Sequence, residues 1–552
     1  MTIRIANASG FYGDRPQAFR ELLETADVDV ITGDYLAELT MLILARDKAK
    51  DPAKGYARTF ITQFEDCIEL ATEQNVKVVV NAGGLNPAGL AARLRELSTL
   101  NIAHVEGDDL THRAAELGLG HPLAANAYLG AFGIAECLKQ GADVVVTGRV
   151  TDASLVVGPA VAHYGWTPGD LDQIAGAMAA GHVIECGTQA TGGNYAFFTA
   201  IKDLDHPGFP IAEIEPDGSS VITKAPGSGG AVTTGTITAQ LLYEVTGARY
   251  AGPDAVLRLD SVQLARQGTD RVRISDVRGE PPPDTLKTGI SELGGFRNEV
   301  TFVLTGLDIE AKAELVKRQL PGDDLTWTLA RTDHENADTT ETASALLHCV
   351  ARSKDPDRAG RHFSDAAVHL ALGSYPGFHL IAPPGPAKLY GVFRSVPVAA
   401  SAVPHLAVLQ DGRRIDIPPS PYAVPAVPAS EPSPSFFPER RGPVRRAPLG
   451  RVVGARSGDK GGDANLGVWV EDDRAWPWLA GFLTLETVRG LLPETAGLDM
   501  ERHVLPNLRA VNIVIRGLLG EGVAYNARFD PQAKALGELL RSRFADIPEE
   551  LL

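Results

Sequence analysis

Cysteine is scarce in this chain: four residues in 552, at Cys67, Cys137, Cys186 and Cys349. None sits in a C-x-x-C pair and the spacings are wide, which argues against a disulfide scaffold or a zinc cluster. Free thiols fit a reducing compartment, so a cytoplasmic protein is expected. Long apolar runs are missing as well. No stretch approaches the ~18 residues that a membrane helix needs, and no membrane partner is expected. The opening Met1-Thr2-Ile3-Arg4-Ile5-Ala6 reads as a strand and lacks the charged-then-apolar order of a signal peptide. Basic charge is in deficit: 52 Lys and Arg stand against 69 Asp and Glu, for a net charge of −17. Binding to phosphate backbones needs clustered Lys and Arg, so nucleic acid is not an expected partner. The densest basic cluster, Arg440, Arg441, Arg445 and Arg446, falls in a proline-rich stretch and reads as solvated linker.

Several diagnostic motifs are also missing. The glycine loop after residue 80 is not G-x-G-x-x-G, and no G-x-x-x-x-G-K-[ST], H-E-x-x-H or G-x-S-x-G string occurs. No nicotinamide, flavin or P-loop nucleotide signature is therefore read. The cofactor stays unknown: no metal ligands are assigned, and a divalent metal is left open because D-x-x-x-D at Asp459 and Asp463 is a weak pattern.

What is present is a repeated strand-then-polar-turn pattern. Apolar runs at 3–7, 28–32, 76–80, 102–105 and 142–146 each end in Gly, Asp, Asn or Arg, and helical patterns such as 60–73 and 126–139 lie between them. That alternation predicts an α/β fold with a mostly parallel N-terminal sheet and flanking helices. From 195 to 415 an α+β region is expected. It has strands at 254–264, 271–277, 298–304, 325–330 and 366–372, and helices at 309–319 and 339–352. Residues 416–448 hold ten prolines and read as a semi-rigid linker. A small ferredoxin-like α+β domain is expected over 449–552, with a glycine-rich turn between strands at 449–455 and 466–471. The expected division is thus 1–415 (1–194 and 195–415), the linker 416–448, and 449–552.

In parallel sheets ligands bind beyond the carboxyl ends of the strands, which is where these polar clusters fall. The pattern gathers Asp14, Arg15, Asp34, Asn81, Asp108, Asp109, Arg149 and Asp152 toward one rim. Gly-Asp after a strand is also ordinary turn and cap chemistry, but turns do not require the bulky Arg15 and Arg149. The loop with Asn81, Gly83, Gly84 and Asn86 could cradle an anion on its backbone N–H groups. Glu185 lies in the densest reactive string, followed by Cys186 and then Gly192, Gly193 and Asn194. A carboxylate shielded from water suits proton transfer, and His182 would share a helical face with Glu185. Cys186 has no basic neighbour in sequence and reads as a structural thiol. Near the C-terminus, Asp459, Lys460, Asp463 and Asn465 sit in a loop with four glycines, read as a ligand or interdomain site.

Taken together, several strings resemble the acyclic terpene utilization (AtuA) family. They are Ala8-Ser9-Gly10-Phe11-Tyr12-Gly13-Asp14, Gly33-Asp34-Tyr35-Leu36-Ala37-Glu38, Asn81-Ala82-Gly83-Gly84-Leu85-Asn86-Pro87 and Thr147-Gly148-Arg149-Val150-Thr151-Asp152. Glu185-Cys186-Gly187 with Thr191-Gly192-Gly193-Asn194, and Gln240-Leu241-Leu242-Tyr243-Glu244, continue the likeness. The string from Arg456 to Asn465 resembles the ferredoxin-like domain often fused behind the main one. The resemblance implies a place in degrading acyclic terpenes such as citronellol and geraniol, where branched acyl-CoA acids are processed.

The expectation is a catabolic enzyme acting on a small or branched carboxylate or its acyl-CoA ester by hydratase- or lyase-type chemistry. Glu185 and Asp152 would do acid/base work; Arg15, Arg149 and the 81–86 loop would hold the anion. Asp459 and Lys460 would close the site. A homo-oligomer is expected. The alternatives are a non-catalytic binding or scaffold subunit of a degradation complex, and a nucleotide-dependent ligase, which the missing P-loop disfavours.

Overall fold

Runs of valine and isoleucine that would be insoluble on a surface become the central sheet. Strands β1 (Ile3–Asn7), β2 (Val30–Gly33), β3 (Lys77–Val80), β4 (Ile102–Glu106) and β6 (Val144–Thr147) run parallel in the order β1-β2-β3-β6-β4. The structure is a computed structural model describing residues 1–320, 322, 324–425 and 442–552. Side chains alternate faces along a strand. Val78, Val80, Val144 and Val146 pack under helices α1 (Ala18–Thr25), α2 (Glu38–Lys50), α3 (Thr59–Glu73) and α4 (Pro87–Leu97). Val79 and Val145 pack on the other face, under α5 (Phe132–Lys139), α6 (Ser154–Tyr164) and α7 (Leu171–Ile184). Both faces are covered, so the strands read as unbroken apolar runs.

Antiparallel strands extend the sheet at both edges to eleven strands. Strands β7 (Pro210–Ile214) and β8 (Ser220–Lys224), followed by Arg271–Ser275 and Gln263–Gly268, continue from β1. Leu406–Val408 and Arg414–Asp416 continue from β4. Strand β5 (Ala124–Ala127) lies outside this sheet and pairs with Thr288 to Ser291.

The chain forms two compact units that are not consecutive in sequence: Met1–Ser291 with Phe393–Leu519 and Gln532–Leu552, and Glu292–Val392 with Gly520–Pro531. In the second unit, strand Ser344–Ser353 is central, paired on one side with Leu325–Ala330 and on the other with Phe296 to Thr305. Helix Ile309–Gln319 buries Ile309, Ala313 and Val316 in that unit's core.

Within the first unit, the C-terminal segment builds its own four-stranded antiparallel sheet. Its order is Val453–Lys460, Asp463–Val470, Ala510–Ile515, Met500–Leu505. Helices Trp476–Phe482, Leu485–Leu491 and Leu536–Ser542 supply Leu479, Val488, Leu536 and Leu540 to its core. Among the described residues no helix is long and apolar enough to cross a membrane.

Several elements differ from the sequence expectation. Residues 344–353 are a strand rather than part of a helix. A central strand buries side chains on both faces, and Leu346, Leu347 and Val350 then mimic helical spacing. Residues 363–369 are helical, because Phe363, Ala367 and Leu370 bury themselves at helical intervals. The helix expected at 126–139 begins at Phe132, since Ala124–Ala127 is drawn into a strand pair. The run 254–264 breaks at a short turn, Leu259–Ser261. The proline-rich stretch contains a strand at its end: Val444–Pro448 pairs with Phe544–Pro548. Its middle, 426–441, with Arg440 and Arg441, lies outside the described residues.

Candidate functional site

The carboxyl ends of β1, β2, β3 and β6 and the end of α7 converge on one buried polar cluster. At the end of β1, the Asn7 side-chain amide donates to the carbonyls of Ile184 and Glu185, both at 2.8 Å. The last carbonyls of a helix have no partner within it, so this clamp fixes where α7 ends and where Glu185 points. After β2 comes Asp34, 6% exposed, whose Oδ1 accepts from Asn81 Nδ2 at 2.6 Å. Asn81, after β3, returns its own Oδ1 to the backbone N–H of Tyr35 at 2.7 Å. Burial, and next the charge of Asp152, push the Asp34 carboxyl well above the ordinary range, against Arg149 and Asn81.

Arg149 follows β6 and is 5% exposed. Its Nη1 donates to Asp152 Oδ1 at 2.7 Å and to the Leu36 carbonyl at 3.1 Å, and its guanidinium lies 4.1 Å from the centre of the Tyr128 ring. Burial works against its charge, but Asp152 and Tyr128 outweigh that. Beneath it, Asp108 Oδ2 accepts from the Arg149 backbone N–H at 2.9 Å and from Asn126 Nδ2 at 2.8 Å. A side chain at Gly148 would strike Asp108 at 2.4 Å, so glycine is required there.

Glu185 is the most telling group. Helix α7 places His182 one turn earlier, with Nδ1 3.2 Å from Glu185 Oε1. The other carboxyl oxygen, Oε2, is buried and has no hydrogen-bond partner among the described residues. Burial raises Glu185 to about 7; His182 opposes the rise, and Asp152 and Glu244 add to it. A carboxyl titrating near neutrality can both give and take a proton. The His182 ring packs against Tyr250, with centres 4.8 Å apart.

Glu244 comes from the turn after helix Thr234–Leu241 and adopts a left-handed backbone, φ 57°. Its N–H donates to Asn465 Oδ1 at 2.8 Å, from the C-terminal sheet; Asn465 in turn contacts Asn512, whose amide donates to the Val245 carbonyl at 3.1 Å. The hairpin that carries Asn465 lies flat against this turn. A side chain at Gly458 would strike Tyr243 at 2.5 Å, and one at Gly467 would strike Leu242 at 2.6 Å. On the same hairpin Asp459 is 7% exposed, and burial followed by the charges of Glu244 and Glu38 lifts it to about 7. Lys460 Nζ lies 6.0 Å from the centre of Tyr250. The expected glycine-rich loop is largely strand: Asp459 and Lys460 end one strand, Asp463 begins the next, and only Gly461 and Gly462 turn between them.

Other residues singled out from sequence are committed elsewhere. Asp14 accepts from the backbone N–H groups of Gly10 and Arg15, both at 2.8 Å. Arg15 pairs with Glu21 at 2.7 Å, faces His206 and lies over Phe209. Gly83 and Gly84 allow close packing against Thr147 and Gly55, and Asn86 caps α4 by accepting from Gly89 N–H at 3.0 Å. Asp109 lies 3.4 Å from Lys48. Gly192 packs on Ile201, Gly193 on Thr188, and Asn194 is exposed. Cys186 is a thiol pushed well up by burial and by the charge of Glu185.

Sequence reading missed Tyr128, Glu244 and Tyr250 as site residues, and also Lys287. Lys287 Nζ lies 4.5 Å from the Tyr128 ring centre; burial works against its charge, and Tyr128 and Glu38 outweigh that. The one available signal was the acid ending the string Gln240 to Glu244. Among the described residues no group of three or more His, Cys, Asp and Glu side chains is arranged to hold a metal ion.

The family model for acyclic terpene utilisation family protein AtuA matches residues 3–409, and that for the AtuA ferredoxin-like domain matches residues 447–544. No curated protein matches the chain. The chain belongs to the AtuA family, and this ties it to acyclic terpene utilisation.

Proposed function

We propose that this AtuA-family chain is an enzyme acting on a small or branched carboxylate or its acyl-CoA ester, by adding or removing water or cleaving a carbon–carbon bond. The observation that carries the reading is Glu185: a buried carboxyl near pH 7 with one oxygen unpartnered, backed by His182. In the dehydration direction Glu185 takes the proton beside the carbonyl. In the hydration direction it returns that proton to carbon. Asp459, also near 7, supplies the second acid at the oxygen that leaves or enters. Arg149, held charged by Asp152 and Tyr128, offsets the negative charge that builds on the carbonyl oxygen. Asp152 serves as the partner that aims Arg149 rather than as the proton carrier, since its Oδ1 is engaged at 2.7 Å.

The test is turnover of free and CoA-linked branched 2-alkenoic and 3-hydroxy acids in ¹⁸O-labelled water, read by mass spectrometry. Wild type should add one ¹⁸O to the alkenoic acid in the hydration direction and release the hydroxy acid's own unlabelled oxygen as water in the dehydration direction. Glu185→Gln, isosteric and uncharged, should lose roughly a hundredfold to ten-thousandfold in rate with its melting temperature retained. Equal turnover by the variant would remove Glu185 from the role.

A further inference from the structure

The carboxyls account for proton transfer but leave two cations unexplained. Lys287 and Lys460 are half-buried, and among the described residues neither ammonium makes a hydrogen bond or an ion pair with a carboxylate. The charge of Glu38 favours the Lys287 ammonium without a direct pair, and a half-buried ammonium that makes no direct pair is well placed to take one from a ligand. The two residues come from distant parts of the chain and each faces aromatic rings. Lys287 Nζ lies 4.5 Å from the Tyr128 ring centre and 6.0 Å from that of Phe393. Phe393 also meets the tip of the hairpin: a side chain at Gly461, next to Lys460, would come 4.0 Å from the Phe393 ring. Lys460 itself leans toward Tyr250, the ring that packs on His182. Tyr128 and Phe393 both press on Gly289, where a side chain would strike Phe393 at 2.8 Å and approach Tyr128 at 3.4 Å. Tyr128 and Phe393 thus run from Lys287 to the hairpin tip, and Tyr250, beside Lys460, leads through His182 to Glu185.

We propose that Lys287 and Lys460 form a clamp for an oxyanion of the ligand, either the carboxylate of a free acid or a phosphate of its CoA ester. The clamp rests on the reading of Glu185 as the proton-transfer group and deepens it. The anionic end of the ligand is held beside these rings, and its reacting carbons reach inward toward Glu185. Aromatic faces suit this place because they stabilise the ammonium groups while empty without neutralising them.

Calorimetric titration of the whole chain with 3-methylbut-2-enoate, its CoA ester and CoA alone tests the clamp. Wild type should bind at least one of the three, more weakly at higher salt. Lys287→Met and Lys460→Met should each weaken that binding by about ten- to hundredfold, while Lys287→Arg largely restores it. Melting temperatures identify any variant that fails to fold, and the arginine variant then carries the test. Binding of the free acid assigns the clamp to a carboxylate; binding of the ester and of CoA alone assigns it to a phosphate. Undiminished binding by both methionine variants overturns the clamp, as does failure of wild type to bind any of the three. Glu185→Gln should bind normally without turnover, so loss of its role and loss of the clamp read out separately.

Discussion

Asp108→Asn isolates the electrostatic cost of building this cluster. Asp108 is 2% exposed, and burial raises its carboxyl from 3.8 to about 7, against hydrogen bonds from Arg149 and Asn126. That rise is worth roughly 4 kcal/mol once the group is fully ionised. Because the folded value lies above the unfolded one, the folded protein binds the extra proton. The contribution is complete below 3.8 and is lost as pH rises through about 7. Asparagine keeps an oxygen for Arg149 N–H and Asn126 Nδ2 but never ionises. The variant should match wild type near about pH 4, apart from a constant offset, and gain up to roughly 4 kcal/mol on it by about pH 8. Urea unfolding across that range, with the slope m unchanged, reads the difference directly. A difference that stays flat with pH would refute the rise of the Asp108 carboxyl to about 7.

The cysteines give a second test. Burial lifts Cys67, Cys137 and Cys349 to about 12 and Cys186 well above its ordinary value. A thiol-reactive dye at pH 8 should label none of the four quickly in the folded protein and all four in denaturant; fast labelling of one would mark a nucleophile. Asn465→Ala should lower stability by roughly 1 kcal/mol, because the half-buried Glu244 N–H then loses its acceptor. An unchanged urea midpoint would show that the Asn465 contact does not hold the C-terminal sheet to the Glu244 turn.

Much of the cluster was legible because buried parallel strands write themselves as unbroken apolar runs. The polar residues that follow those runs then fall at the carboxyl-end rim of the sheet, where Asp34, Asn81 and Arg149 lie. Helical spacing likewise paired His182 with Glu185. A rim position does not say which partner a long side chain takes, and Arg15 pairs with Glu21 and lies over Phe209. Lys287 and Tyr128 were invisible for another reason. They are joined by a strand pairing between Ala124–Ala127 and Thr288 to Ser291, and no local pattern announces contacts so distant in sequence. The turn expected between strands 449–455 and 466–471 is in fact mostly strand, because its glycines lower strand propensity without preventing the pairing of Val453–Lys460 with Asp463–Val470. In the fold those glycines are what let it lie against Leu242 and Tyr243.

That contact changes the standing of the C-terminal segment. Glu244 has a left-handed backbone that a non-glycine residue adopts at a cost of roughly 1–2 kcal/mol. The hydrogen bond from its N–H to Asn465, continued through Asn512 to the Val245 carbonyl, offsets that cost. Both partners come from the C-terminal sheet. The same hairpin delivers Asp459 and Lys460, and the charge of Glu244 helps raise both Glu185 and Asp459. Without this sheet the candidate site would lose Asp459, Lys460 and the support for Glu244, whose charge helps raise Glu185. The two parts matched by separate family models thus build one cluster, to which the C-terminal part brings Asp459, Lys460 and Asn465.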